Sequence, residues 1–186
     1  MIRLLDVVLS AVGLVLGGPL MAVIFLAGFF DTGSPLFFQE RVGRYRQPFR
    51  LVKFRTMRRG TPDVGTHLAD PSRVTALGRF LRRTKLDELP QLWNVFKGEM
   101  SLVGPRPCLP NQTELIAARD RLGVFAVRPG ITGLAQIRGI DMSEPERLAQ
   151  LDAEMVRRFG LGSYLKILLA TILGAGQGDR LRVNRG

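Results

Sequence analysis

Asp87 and Glu88 are adjacent carboxylates in the string Leu86-Asp87-Glu88-Leu89-Pro90. One carboxylate can attack a phosphorus centre and form an acyl phosphate, while its neighbour serves as base. Asp87 can also hold Mg²⁺ together with substrate phosphates, which would neutralise charge developing in a phosphoryl transfer. A plainer role stays open: acidic residues at a helix start offset the helix dipole, for a few tenths to about 1 kcal/mol. Arg106 stands between Pro105 and Pro107, so its backbone is stiff and its guanidinium is pre-aimed. A planar fork of that kind clamps phosphate through parallel hydrogen bonds; a turn arginine in a structural ion pair is the alternative. Lys53, Arg55, Arg128 and Arg138 are further phosphate candidates, and each taken singly also reads as a solvated surface charge.

Other chemistries fit poorly. Gly60 to Thr66 has part of the P-loop spacing but lacks its lysine. His67 is the single histidine and Cys108 the single cysteine, which argues against a zinc site and rules out an internal disulfide. A Ser-His-Asp arrangement would have to use His67, and no Gly-x-Ser-x-Gly elbow lies near it. The formal net charge is +11, from 27 Lys and Arg against 16 Asp and Glu, with arginine far ahead of lysine. That surplus calls for an anionic partner: nucleic acid, an anionic lipid surface or a phosphorylated substrate.

The elements that must position these residues begin with an uncharged apolar run from Val7 to Phe30. At about 1.5 Å per residue it is long enough to cross a bilayer. Pro19 near its middle removes a backbone donor, and Gly17 and Gly18 weaken the helix before it. A straight span and a helix that bends and turns back are both consistent with this. The run exceeds a signal-peptide core, has only Arg3 before it and lacks a small-x-small site before Asp31, so it is expected to be retained. Arg41, Arg44, Arg46, Arg50, Lys53 and Arg55 all follow the run. The positive-inside bias therefore places the C-terminal part in the cytoplasm.

Asp31 to Pro35 reads as a turn cluster that ends the membrane element. Residues 36–56 read as two short strands around a Gly43-Arg44 turn, and residues 60–72 as a surface loop. A basic amphipathic helix is expected from Arg73 to Arg83. A second helix is expected from near residue 85 through Phe96, with Thr84 and Asp87 at capping-box spacing and Lys97-Gly98 at its end. Gly104 to Pro107 must be extended or turned. Residues 112–122 and 144–159 read as helices, Pro129 to Gly133 as a rigid turn, and Tyr164 to Leu173 as an amphipathic or interfacial segment. Trp93 is expected in a core or at an interface.

Five ordered strings carry a resemblance: Gln39-Glu40-Arg41-Val42-Gly43, Lys53-Phe54-Arg55-Thr56-Met57, Leu86 to Val95, Met100 to Pro107, and Arg128 to Gln136. Together they resemble the bacterial sugar transferases, in particular the small monotopic phosphoglycosyl transferases that start polysaccharide and glycoconjugate assembly. The resemblance covers about Arg3 to Leu169. It implies transfer of a sugar-1-phosphate from a UDP-sugar to polyprenol (undecaprenyl) phosphate, with release of UMP. It implies Asp87 as nucleophile and Mg²⁺ contact, Glu88 as the group assisting proton removal from polyprenol phosphate, and Arg106 as a phosphate holder. It also implies a re-entrant N-terminal helix with both ends cytoplasmic. In the family that helix is broken by Ser-Pro; here the pair is Gly18-Pro19, which lacks the serine hydroxyl. Lys85 stands where the family often has serine, and would favour ionised Asp87 if the side chains approach.

The expected protein is thus mixed α/β and mainly helical. Residues 1–32 form a re-entrant membrane helix broken at Pro19, and residues 33–186 a small catalytic domain with short strands and amphipathic interfacial helices. Its place is the cytoplasmic face of a bacterial inner membrane, against an anionic bilayer. Its substrates are a UDP-sugar and polyprenol phosphate, with no nucleic-acid partner. Downstream glycosyltransferases and further copies of the chain stand as additional candidate partners. Two rival readings are a non-enzymatic basic membrane-anchored module and a metal-dependent hydrolase of lipid diphosphates.

Overall fold

Apolar residues fill nearly every position from Val7 to Phe30, and they form helix α1, Ile2–Thr32. The computed structural model describes residues 1–62 and 70–175. Gly33 ends α1 in the left-handed region (φ 69°), where glycine has no Cβ to clash, and donates its N–H to the Phe29 carbonyl at 2.8 Å. Pro19 lies inside the helix. The expected break at Gly18-Pro19 is therefore not an exit from helical conformation. Pro19 denies the Val15 carbonyl one donor, but leaving the helix would strip several backbone groups of their partners in an apolar surrounding.

One face of α1 packs along its length against the rest of the chain. Arg3 donates to the carbonyls of Val95 (2.6 Å) and Phe96 (2.8 Å). Asp6 is buried, and its Oδ1 accepts from the Ser101 hydroxyl (3.0 Å), the Leu102 N–H (2.9 Å) and the Tyr164 hydroxyl (2.9 Å). A Cβ on Gly13 would stand 2.9 Å from Leu92 Cδ1. Beyond Pro19, Ile24 packs with Phe54 and Leu81, and Gly28 sits against Pro35. Ser10 is also buried and Met21 packs on the Ile24 group, so the anchors at 3, 6, 10, 13 and then 21, 24, 28 keep helical spacing. Leu4, Val15, Leu16, Leu26 and Phe30 are exposed, so the outward face is as apolar as a bilayer core.

Strands β1 (Leu36–Val42) and β2 (Pro48–Phe54) form an antiparallel hairpin, with Phe37 opposite Lys53 and Phe38 opposite Val52. The connection is longer than a two-residue turn. It includes Tyr45 and Arg46 at φ 54° and 61°. The basic helix starts later than Arg73: α2 is Ala76–Thr84, capped by the Thr75 hydroxyl on the Gly78 N–H at 2.9 Å. Asp70 caps a 3-10 turn at Pro71–Arg73 before it. Of the expected loop, residues 63–69, and with them His67 and most of the Gly60 to Thr66 string, lie outside the described residues.

The helix expected from residue 85 is divided into a 3-10 turn, Leu86–Glu88, and α3, Gln91–Lys97. Thr84 does not cap it. Its hydroxyl donates back to the Phe80 and Leu81 carbonyls at 2.9 and 3.1 Å, and Pro90 occupies the N-cap position. Gly98 ends α3 at φ 91°, as expected of Lys97-Gly98.

Two short strands depart from the sequence reading. β3 (Ser101–Val103) pairs in parallel with β4 (Gly130–Thr132), so the Pro129 to Gly133 turn is part strand. A short helix, α5 (Leu134–Ile137), follows. Helices α4 (Thr113–Arg121), α6 (Pro145–Arg157) and α7 (Leu161–Ile172) lie close to the expected segments. The core has three parts: Val95, Met100, Val103, Met155, Tyr164 and Ile167; Cys108, Leu115, Ala118, Leu148 and Ala149; and the Ile24, Phe54, Leu81 group under α1. α7 buries Tyr164 and Ile167 while Leu165, Leu169 and Ile172 face outward, the pattern of an interfacial helix.

Candidate active site

The dyad is placed by a chain reversal after α2. Lys85, at φ 59°, is the left-handed C-cap of α2 and turns directly into the 3-10 turn carrying Asp87 and Glu88. Burial and the charge of Glu88 push the Asp87 carboxyl up to about 6, while Lys53, Arg82 and Arg106 pull against that rise. Asp87 is only 9% exposed. Glu88 Oε1 accepts from an Arg106 guanidinium N–H at 2.6 Å, and both side chains are largely buried.

Three of the sequence-predicted residues thus meet at Asp87: Glu88, Arg106 and Lys53. Lys53 comes from β2, its Nζ 5.3 Å from the centre of the Phe37 ring. Arg82 is a fourth member that sequence reasoning treated as part of a generic basic helix face. Its Nε donates to the Thr56 hydroxyl at 2.9 Å. Gly78 allows this close approach, because a Cβ there would fall 2.0 Å from the Thr56 carbonyl oxygen. The Lys53 to Thr56 string therefore serves the site twice, through the Lys53 ammonium and through Thr56 as a seat for Arg82. Lys53, Arg82 and Arg106 bear electrostatically on Asp87, and Lys85 supplies the left-handed backbone turn that leads into the dyad.

The other candidates are held elsewhere. Arg55 donates to the carbonyls of Ser34 (2.9 Å) and Leu36 (3.2 Å), tying the end of α1 to the hairpin. Arg128 donates to the Gly98 carbonyl at 2.8 Å, next to the two carbonyls held by Arg3, so both arginines close the C-terminal end of α3. Arg138 pairs with Glu154 at 3.1 Å on the surface between α5 and α6. Trp93 is half exposed and stacks on Phe96, ring centres 5.9 Å apart, which suits an interface.

Arg106 gets its stiffness from more than its two prolines. Every carbonyl from Pro105 to Cys108 accepts a donor from a different part of the chain. Gly130 N–H reaches Pro105 (2.9 Å), Arg119 reaches Arg106 (2.9 Å), Arg41 reaches Pro107 (2.9 Å), and Val42 N–H reaches Cys108 (2.9 Å).

Among the described residues no three His, Cys, Asp or Glu side chains converge as a metal cage. Mg²⁺ needs no such cage: it is commonly held by one or two carboxylates with substrate phosphates completing its oxygen shell. The Asp87 carboxylate fits that demand, and Glu88 is already paired with Arg106. Beside the dyad, an apolar groove of about 460 Å³ runs between Met21, Phe25 and Leu26 of α1, Leu36 and Phe54 of the hairpin, and Pro90.

A family profile described as bacterial sugar transferase matches residues 1–177. The chain is 40% identical over 181 residues to a UDP-glucose:undecaprenyl-phosphate glucose-1-phosphate transferase of Caulobacter vibrioides, covering 91% of this chain and 67% of that protein. It is 39% identical over 191 residues to an exopolysaccharide production protein of Rhizobium meliloti, covering 91% of this chain and 83% of the relative. An undecaprenyl-phosphate galactose phosphotransferase of Salmonella typhimurium is 35% identical over 187 residues; those cover 91% of this chain but 39% of that protein.

Proposed function

Because this chain belongs to the bacterial sugar transferase family, we propose that it transfers a sugar-1-phosphate from a UDP-sugar to undecaprenyl phosphate in exopolysaccharide or glycoconjugate synthesis. The observation that carries the reading is the buried Asp87 carboxyl flanked by Glu88, Lys53, Arg82 and Arg106. In the first step an Asp87 oxygen attacks the phosphorus that bears the sugar. A carboxyl-to-phosphorus bond forms, the bond to the bridging oxygen breaks, and UMP leaves. In the second step an oxygen of the polyprenol phosphate attacks the same phosphorus. Asp87 departs as carboxylate, Glu88 takes up any proton on the acceptor, and polyprenol-diphosphate-sugar forms.

Arg106, Lys53 and Arg82 supply positive charge where phosphoryl oxygens must lie. When bound at Asp87, Mg²⁺ would neutralise charge on the diphosphate. The apolar groove lined by α1, the hairpin and Pro90 supports entry of the polyprenol from the lipid side, since an isoprenoid tail cannot leave the bilayer and a UDP-sugar cannot enter it. Incubating the membrane-bound protein with labelled UDP-sugar and no acceptor should leave label on the chain with one UMP per label. Adding undecaprenyl phosphate should move that label to lipid. Product formation with no labelled protein at any time would sink the covalent route, and a panel of UDP-sugars in the same assay would identify the donor.

Attack requires ionised Asp87. The first half-reaction should therefore slow about tenfold per pH unit below about 6 and level off above 7. A rate of UMP release that stays flat down to pH 4.5 would remove Asp87 from this role.

The re-entrant topology, with a cytoplasmic catalytic domain on an inner membrane, is part of the same proposal. Its support is that both arms of α1 pack on one body: Arg3 and Asp6 before Pro19, Ile24 and Gly28 after it. A full span would carry one arm away from these contacts. In Ile2→Cys, the new thiol should resist an impermeant maleimide added outside intact cells and react once the membrane is opened. Buried Cys108 contributes no background. Ready labelling from outside would favour a span.

A further inference from the structure

Two helices outside the catalytic dyad carry a buried ion pair with no part in the chemistry above. Arg119 of α4 is 1% exposed and Asp152 of α6 is fully buried. The Arg119 Nε and one terminal nitrogen both donate to Asp152 Oδ2, at 3.0 and 2.6 Å. The other terminal nitrogen donates to the backbone carbonyl of Arg106 at 2.9 Å. Asp152 Oδ1 is buried without a hydrogen-bond partner among the described residues.

A pair like this is an expensive way to join two helices. Desolvating both ions offsets most of their attraction, and well-packed apolar residues of similar volume often serve as well or better. α4 and α6 already share an apolar seam of Leu115, Ala118, Leu148 and Ala149. What the pair adds is direction. Asp152 grips one edge of the guanidinium plane, which leaves the opposite N–H fixed on the Arg106 carbonyl. That carbonyl lies between Pro105 and Pro107, neither of which has an N–H to anchor the segment. The side chain that leaves the same residue ends on Glu88 at 2.6 Å. The backbone pin and the phosphate-facing guanidinium thus belong to one residue.

We propose that Arg119, held in place by Asp152, is a positioning residue that sets the Arg106 guanidinium at the Asp87-Glu88 dyad. The inference rests on the reading of Arg106 as the phosphate clamp. Misplacing a binding group by about 1 Å can cost on the order of 100-fold in rate.

The test compares Arg119→Met/Asp152→Leu, which keeps roughly the same total volume and leaves no lone charge, with the wild type and with Arg106→Ala. Folding is followed by thermal melting, and the half-reaction by UMP release and protein labelling. The double change should leave the melting temperature near that of wild type and slow labelling by about 10- to 100-fold, chiefly in the limiting rate at saturating UDP-sugar rather than in the concentration that half-saturates it. Introduced into Arg106→Ala, the same double change should cost less than about threefold, because the group it positions is gone. Equal fractional losses in both backgrounds, or wild-type labelling by the double variant, would overturn the proposal. Arg119→Lys is the second probe should the double variant fail to fold. It retains the charge on Asp152 but cannot also reach the carbonyl, and should show the same loss and the same dependence on Arg106. Absence of UMP release from the wild type would instead sink the transferase reading itself, so the two failures are distinct.

Discussion

Asp87→Asn is expected to abolish protein labelling and slow UMP release by at least about 10³-fold, yet to melt higher than the wild type at pH 7.5. The loss follows from removing the group that bonds to phosphorus: an amide is a far weaker nucleophile, and the remaining cations can only bind. The gain follows from linkage. Folding raises the Asp87 carboxyl from 3.8 to about 6, so between those values the folded state holds a proton that the unfolded state has lost. The contribution of this one group to stability is then fully present below about pH 4, declines as pH rises to about 6, and is gone where the enzyme is active. At 1.36 kcal/mol per pKa unit the ionised side chain costs about 1–3 kcal/mol at neutral pH. Asparagine carries no such cost, and a gain of that size raises the melting temperature by several degrees in a chain this long.

The rival readings part company here. A non-enzymatic basic module would keep its lipid binding in Asp87→Asn and would never have released UMP. A lipid diphosphate hydrolase using Glu88 to activate water would turn over without a labelled protein. A variant that is inactive and less stable than wild type would contradict the linkage argument, and one that still labels would contradict the assignment of the nucleophile.

The second large effect is structural. Gly130→Ala should destabilise the protein by more than about 4 kcal/mol, a large share of the roughly 5–15 kcal/mol that holds a domain folded. A Cβ at residue 130 would lie 2.0 Å from the Gly104 nitrogen and 2.6 Å from its Cα. Those atoms are backbone, so no rotamer change relieves the clash. Gly104 itself is hemmed in by the Arg128 carbonyl, where a Cβ would fall at 2.4 Å. The two glycines let β3 and β4 lie against each other and bring the Gly130 N–H to the Pro105 carbonyl, beside Arg106. Gly162→Ala is the matched control. It lies in α7, has nothing within 4 Å of the new methyl and has no positive φ. It should stabilise by about 0.5–1 kcal/mol, by limiting the unfolded chain and favouring helix. Melting curves of the two alanine variants side by side decide the matter; similar melting temperatures would show that the glycine contact is not tight.

The hairpin of β1 and β2 was readable because short apolar groups alternate with basic residues around turn signals, and α6 because Leu148, Leu151 and Met155 recur at helical spacing; α4 instead groups its apolar residues in one block at 115–118. Asp87, Glu88 and Arg106 stood out as candidates because an acidic pair lies just before a proline and an arginine lies between two prolines, but residue type alone left the helix-dipole and ion-pair readings open, and their roles were supplied by the family resemblance. The parallel pair β3–β4 was not. Each strand is three residues long, too short for a period to show, and the partners are far apart in sequence. Pro129 to Gly133 therefore looked like a turn, although its glycines are there for backbone contact.

The division of labour within the site follows the same line. Sequence alone determined the local chemistry: a carboxylate pair, a rigid arginine, a basic surplus and an apolar helix containing Pro19. These are properties of residue type and near neighbours. Only the tertiary structure decided which cations reach Asp87, because proximity across elements leaves no local trace. Lys53 and Arg82 converge there from β2 and α2, whereas Arg55, Arg128 and Arg138, equally basic in sequence, are bound to Ser34 and Leu36, to Gly98 and to Glu154. Arg119 and Asp152, 33 residues apart, read as ordinary helix charges until packing excludes water from both and aims one of them at Arg106.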